Sequence, residues 1–161
     1  MNAIYLLFLW GGSWSVNAGV VFLFAHGVLS SLMFYIIECI YKRTQSRNMY
    51  KVFGLSVLYP SLSLAIWGML IVFFGFPGTV KFFAEFYLLS VLAEFNVPFA
   101  FCVAFVLIFL GSVGFARCWF SVLYGHPGYP RPKMDLTKEE VLIIMFLLFL
   151  SVAPCAFVYF I

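Results

Sequence analysis

The sequence predicts an all-α, polytopic bundle of membrane-spanning helices, and three observations carry that prediction. Of 161 residues, 65% are hydrophobic and 22% aromatic, more apolar surface than a soluble core of this size can hide from water. Only 9% are charged, against about a quarter in a soluble domain. The apolar residues also come in long runs that lack the alternation of barrel strands, so each run must satisfy its own backbone in lipid, as a helix does.

Taken in chain order, the first run, residues 3 to 10, covers less than half of a bilayer at roughly 1.5 Å per residue and reads as a partial helix. Five longer runs follow, near 15–40, 53–75, 77–96, 97–121 and 139–161, each of about 20 residues or more and so long enough for a hydrocarbon layer of roughly 30 Å. Between them fall GGSWS, Pro77, the Asn96-Val97-Pro98 step and GHPGYPRPK at 125–133, all residues that stop or turn a helix. The chain reads as one transmembrane domain over 1–161, without internal repeats. The start, MNAIYLLFLWGGSWS, has neither a basic flank nor a small-residue cleavage site, so neither a secretory signal nor a transit peptide is indicated.

The net charge of +3 comes from polar loops and not from a basic face, which argues against nucleic-acid binding. Lys42, Arg43, Arg47 and Lys51 follow the first long helix, and Arg117, Arg131, Lys133 and Lys138 surround the last loop. With five crossings these loops lie on opposite sides, and the positive-inside count ties. Cys39, Cys102, Cys118 and Cys155 stand singly in apolar segments and read as buried thiols, with no spacing for a metal or iron-sulfur site. No nucleotide loop, flavin site or quinone pocket is legible, so no redox chemistry is expected of this chain.

The ionisable groups inside the apolar runs are the functional candidates, because a charge in lipid costs several kcal/mol and must face protein or water. Glu85 lies near the middle of its run, and Lys81 stands four residues earlier on the same helical face. Two readings apply: a mutually neutralising pair, or a proton-exchanging carboxylate tuned by the lysine. His26, also near mid-membrane, is a proton relay or a packing residue, with Ser30 one turn away. Glu38 and Lys42 have the spacing of an interfacial ion pair, and Gly111, Ser112 and Gly114 that of a tight helix contact.

Four segments carry a resemblance: AHGVLSSLMF at 25–34, YKRTQSR at 41–47, GFPGTVKFFAEF at 75–86 and MDLTKEE at 134–140. Together, in this order, they resemble the C-terminal part of the subunit 4 family of NADH dehydrogenase, which writes them AHGLxSSxLF, YERTHSR, PGTxNFxGEF and DLTxxE. The likeness runs from about residue 8 to 161. It implies the C-terminal third of an antiporter-like membrane subunit of respiratory complex I, a proton-translocating NADH:ubiquinone reductase in the mitochondrial inner membrane. It implies that His26 and Glu85 belong to a mid-membrane chain of protonatable groups and water, with Lys81 beside them. The loop at 125–138 would face the matrix and the one at 42–51 the intermembrane space. NADH, FMN, iron-sulfur clusters and ubiquinone would lie in other subunits. The implied partners are other membrane-arm subunits, above all a separate chain carrying the earlier helices and the antiporter-like subunits 2 and 5, together with membrane lipids. The chain departs from the family at Lys42 and Gln45, where it has Glu and His, and at Lys81, where it has Asn. Earlier helices that would complete the relay are absent, and a split gene is the expected reason. The competing expectation is a structural membrane-arm subunit without proton transport.

Overall fold

The computed structural model describes residues 13–46, 48, 52–125 and 134–153. They form α1 (Ser13–Thr44), a single turn α2 (Leu55–Leu58), α3 (Pro60–Phe73), α4 (Val80–Phe95), α5 (Val97–Ala104), a π-helical segment (Phe105–Leu110), α6 (Gly111–Leu123) and α7 (Lys138–Val152). The expected partial helix at 3–10 lies outside the described residues, as does the end of the last run beyond 153.

Local chemistry sets the element ends. α1 stops where the Arg43 guanidinium donates to the Cys39 carbonyl at 2.8 Å and Gln45 takes a left-handed φ of 52°. Pro60 opens α3, where a missing N–H costs nothing. The Thr79 hydroxyl accepts from the Phe82 N–H at the start of α4, and the Asn96 side chain does the same for Phe99 at the start of α5. Thr137 and Glu140 close the first turn of α7 reciprocally, as a capping box.

The core lies along α1 in three patches, and their order gives the path of the chain. Leu32, Ile36, Cys39 and Ile40 pack with Leu62, Ala65, Ile66, Met69 and Leu70. Ala25 packs with Val80 and Ala84, and Ala18 with Leu88, Val91, Leu92 and Ala100. As the α1 number falls from 40 to 18, its partner rises from 62 to 100. α3 and α4 therefore follow one another along α1 in the same direction, end to end. Their 14 and 16 residues span ~21 Å and ~24 Å, together close to the ~48 Å of the 32-residue α1.

This corrects the expected path. The runs at 53–75 and 77–96 are helical, but they are two halves of one discontinuous crossing and not two crossings. Hydropathy marks apolar length without direction, and the GFPG turn between the runs carries no charge that would set it apart from them. Only one helix among the described residues, over Ser15–Thr44, is alone long and apolar enough to cross a membrane. α5, the π segment and α6 together form the return path, from Ala100 beside Ala18 to Leu123, whose carbonyl accepts from the Ser56 hydroxyl at 2.8 Å.

The described residues just after Thr44 and just before Lys138 consequently lie at one end of the bundle, where the resemblance had implied opposite faces for their loops. Arg43 donates to the Asp135 carbonyl at 3.0 Å and to Glu140 at 2.5 Å. The Glu38–Lys42 pair does not form; among the described residues Arg43–Glu140 is the ion pair at this end. A membrane-impermeant thiol reagent is expected to label Gln45→Cys and Lys138→Cys from the same side of sealed vesicles, and Asn96→Cys from the other. Labelling of 45 and 138 from opposite sides would restore the five-crossing path.

Two further expectations are corrected. A side chain at Gly111 or Gly114 would meet nothing within 4 Å, whereas one at Gly68 would meet Leu148 at 3.1 Å. The close helix approach is thus α3 on α7. Cys39 is buried as expected, but Cys102 and Cys118 are exposed on the outer face of the return path, and Cys155 lies outside the described residues. That face also exposes Phe101, Phe105 and Phe109, an apolar exterior suited to lipid or neighbouring helices.

Candidate functional site

The site is the break between α3 and α4. A helix end leaves four carbonyls without intrahelical partners, and in an apolar surrounding each must find one. The turn supplies three. The N–H of Phe74 donates to Leu70 at 2.9 Å, that of Gly75 to Val72 at 3.1 Å and that of Phe76 to Ile71 at 3.3 Å. The Phe73 carbonyl is left over, and the Lys81 ammonium donates to it.

This gives the lysine a structural reason to be where it is. Its ammonium sits at the negative end of the α3 dipole, 4.5 Å from the centre of the Phe73 ring, and 3.0 Å from Glu85 Oε1. The Phe73 ring is itself stacked on Phe115 of α6 at 3.5 Å. The lysine and glutamate side chains are only 20% and 17% exposed. The other end of the turn is closed by Thr79, whose hydroxyl donates to the Phe76 carbonyl at 2.9 Å and accepts from the Phe82 N–H at 3.4 Å.

Gly75 shapes the carboxylate's seat. Its φ of +65° is a left-handed conformation that disfavours any side chain, and a Cβ there would stand 2.9 Å from Glu85 Oε2. Gly75→Ala is expected to cost about 1–2 kcal/mol through the backbone alone and to push the carboxylate off its seat as well. The check is a lowered thermal midpoint of the purified membrane protein; an unchanged midpoint would mean that the turn adapts.

His26 stands next to Ala25, which packs on Val80 and Ala84, so it shares the depth of the break. It is half-buried, and no hydrogen bond or ion pair joins it directly to Lys81 or Glu85 among the described residues. The structure thus brings Lys81 and Glu85 together and places His26 level with them, unbonded to either.

Sequence reasoning missed Phe73, Gly75, Thr79 and Phe115. The signal was present in FGFPGT, a helix stop and a helix start enclosing no charge, hence a turn with no claim on water. It also missed a second polar cluster at the end of the bundle. There Arg43 and Glu140 have side chains 10% and 12% exposed, and the Asp135 carboxylate accepts the N–H groups of Ser61, Leu62 and Leu136. Burial acts to raise the Asp135 carboxyl, but the N–H donors of Ser61, Leu136 and Leu62 and the Ser61 side chain outweigh it and hold the group below its usual range.

Comparison with known proteins adds an independent finding. The family described as NADH:quinone oxidoreductase/Mrp antiporter, TM, matches residues 2–111. NADH-ubiquinone oxidoreductase chain 4 of Paramecium tetraurelia is 34% identical over 160 residues, covering 96% of this chain and 34% of that protein. The chain of the same name from Acanthamoeba castellanii is 27% identical over 139 residues, 85% of this chain and 28% of that one. NADH-quinone oxidoreductase subunit M of Rickettsia typhi is 28% identical over 144 residues, 85% of this chain and 29% of that one. The chain spans about a third of the length of these relatives.

Proposed function

Because the chain belongs to the NADH:quinone oxidoreductase/Mrp antiporter membrane family, and within it to the antiporter-like subunit 4 type, we propose that it supplies part of the mid-membrane proton relay of a respiratory complex I. Glu85 is the proton-exchanging group, His26 its partner through intervening water, and Lys81 the cation that sets the carboxylate's hold on the proton. The complex acts as a proton-translocating NADH:ubiquinone reductase in the mitochondrial inner membrane. Its NADH, FMN, iron-sulfur and ubiquinone sites lie in other subunits. A separate chain with the earlier helices, the antiporter-like subunits 2 and 5, and lipid surround this one.

The observation that carries the reading is the double attachment of Lys81, to the Phe73 carbonyl and to Glu85. A buried cation with a single carboxylate partner is stranded when that partner is protonated. Here the ammonium keeps a carbonyl and a ring face, so Glu85 can take up and release a proton without leaving a bare charge in the membrane. Both side chains remain partly open on this chain, which calls for a polar or hydrated cover from a neighbour. The deciding experiment is Glu85→Gln in the assembled complex, read as protons moved per NADH oxidised.

A structural role has one observation in its favour: Lys81 of α4 donates to the Phe73 carbonyl of α3 and so ties the two half-helices together, while its ion pair with Glu85 stays within α4. Ordered water joining His26 to Glu85 in a high-resolution map of the complex supports transport; a dry, packed space supports the structural role.

A further inference from the structure

We propose that Asp135 is a positioning residue for the Lys81–Glu85 pair and acts through α3. The functional consequence rests on the relay reading above; the geometry does not.

α3 is a half-helix closed at both ends by side chains from elsewhere in the chain. At its start, Tyr59 occupies the capping position and makes no side-chain cap. Asp135 does so from a distance of 74 residues in sequence, accepting the Ser61 N–H at 2.8 Å and the Leu62 N–H at 3.3 Å. These are first-turn amides without intrahelical partners, and an anion there meets the positive end of the helix dipole. At the far end, the Phe73 carbonyl receives the Lys81 ammonium.

Asp135 is well fastened for this task. Its carboxylate also accepts its neighbour's N–H, from Leu136, at 2.8 Å. Its carbonyl accepts from Arg43 Nη2 at 3.0 Å, and the same nitrogen bonds Glu140 at 2.5 Å. α1, α3 and α7 are thereby fixed to one another at one end of the bundle. Apolar packing on α1 holds the sides of α3 but is non-directional, so the directional bonds to Asp135 set its axial position. A 14-residue helix is stiff over ~21 Å, and a shift at Ser61 reaches Phe73 undiminished. Asp135 thus sets where the Phe73 carbonyl stands under Lys81, and with it how the lysine divides between carbonyl and carboxylate.

The test uses the assembled complex carrying Asp135→Ala, Asp135→Asn or Glu85→Gln, read by a density map of the break and by protons moved per NADH oxidised. Asp135→Ala is expected to keep NADH oxidation, part Lys81 from the Phe73 carbonyl beyond hydrogen-bond distance, and lower the proton ratio toward that of Glu85→Gln. Asp135→Asn, which keeps one acceptor oxygen for the two N–H groups that Asp135 receives on Oδ2 and Oδ1, is expected to part the break less than Asp135→Ala and to recover part of the ratio. A role confined to stability lowers the amount of complex and leaves both the break and the ratio untouched. Lys81 still on the Phe73 carbonyl in Asp135→Ala overturns the proposal. A parted break together with full pumping in Glu85→Gln upholds the positioning and removes the relay reading instead. Should Asp135→Ala not assemble, Asp135→Ser, with one short hydroxyl for two amides, is expected to part the break incompletely; an unchanged break in that variant is equally fatal.

Discussion

Glu85→Gln is expected to leave the complex assembled and oxidising NADH while proton delivery through this part of the membrane arm stops. Glutamine has the shape of the carboxylic acid, so it fits the space against Gly75 and its amide oxygen still accepts from Lys81, now without charge. The lysine keeps the Phe73 carbonyl and ring, which spares the variant a stranded ammonium. What glutamine lacks is a proton to exchange. Removing a positioned acid–base group commonly slows its step by about 10²–10⁴-fold, enough to silence one path in a cycle with several. The measurement is protons moved per NADH in coupled vesicles, beside NADH oxidation in uncoupled ones. A wild-type ratio with normal assembly would leave Glu85 as half of a structural ion pair.

How much of this was legible in the residues differs between fold and site. The helical, membrane-embedded class follows from apolar run length and scarcity of charge, two properties that tertiary packing cannot reverse. The path did not follow, because the runs at 53–75 and 77–96 have the same composition whether they lie side by side or end to end. Only the contacts of α1 with Leu62–Leu70 and then Val80–Leu92 decide between them. At the site, spacing alone gave Lys81 and Glu85, since four residues on a helix put two side chains on one face. The Phe73 carbonyl was invisible because a backbone acceptor has no sequence signature. Arg43, Asp135 and Glu140 stand inside two of the four quoted segments, yet their meeting needs the long-range turn of the chain that spacing does not record.

Lys81→Met should be the more damaging change to the structure, and its contrast with Lys81→Asn tests the lysine's double attachment. Methionine fills the volume of the chain but removes the ammonium, leaving the Glu85 carboxylate and the Phe73 carbonyl without their partner in an apolar surrounding. Breaking a buried pair on one side costs about 3–5 kcal/mol, and an unsatisfied carbonyl adds about 1–3 kcal/mol. Against a total stability of roughly 5–15 kcal/mol this is expected to deplete the assembled subunit. Asparagine, the residue that the resembling family has at this position, is too short to serve both acceptors but offers two N–H donors and no charge of its own. Lys81→Asn is therefore expected to assemble better than Lys81→Met, and Lys81→Met/Glu85→Gln better than Lys81→Met alone, because the second change removes the orphaned charge. Equal assembly of Lys81→Met and wild type would show that the ammonium neutralises nothing, and the helix break would then owe its geometry to the Gly75 turn and the Thr79 cap alone.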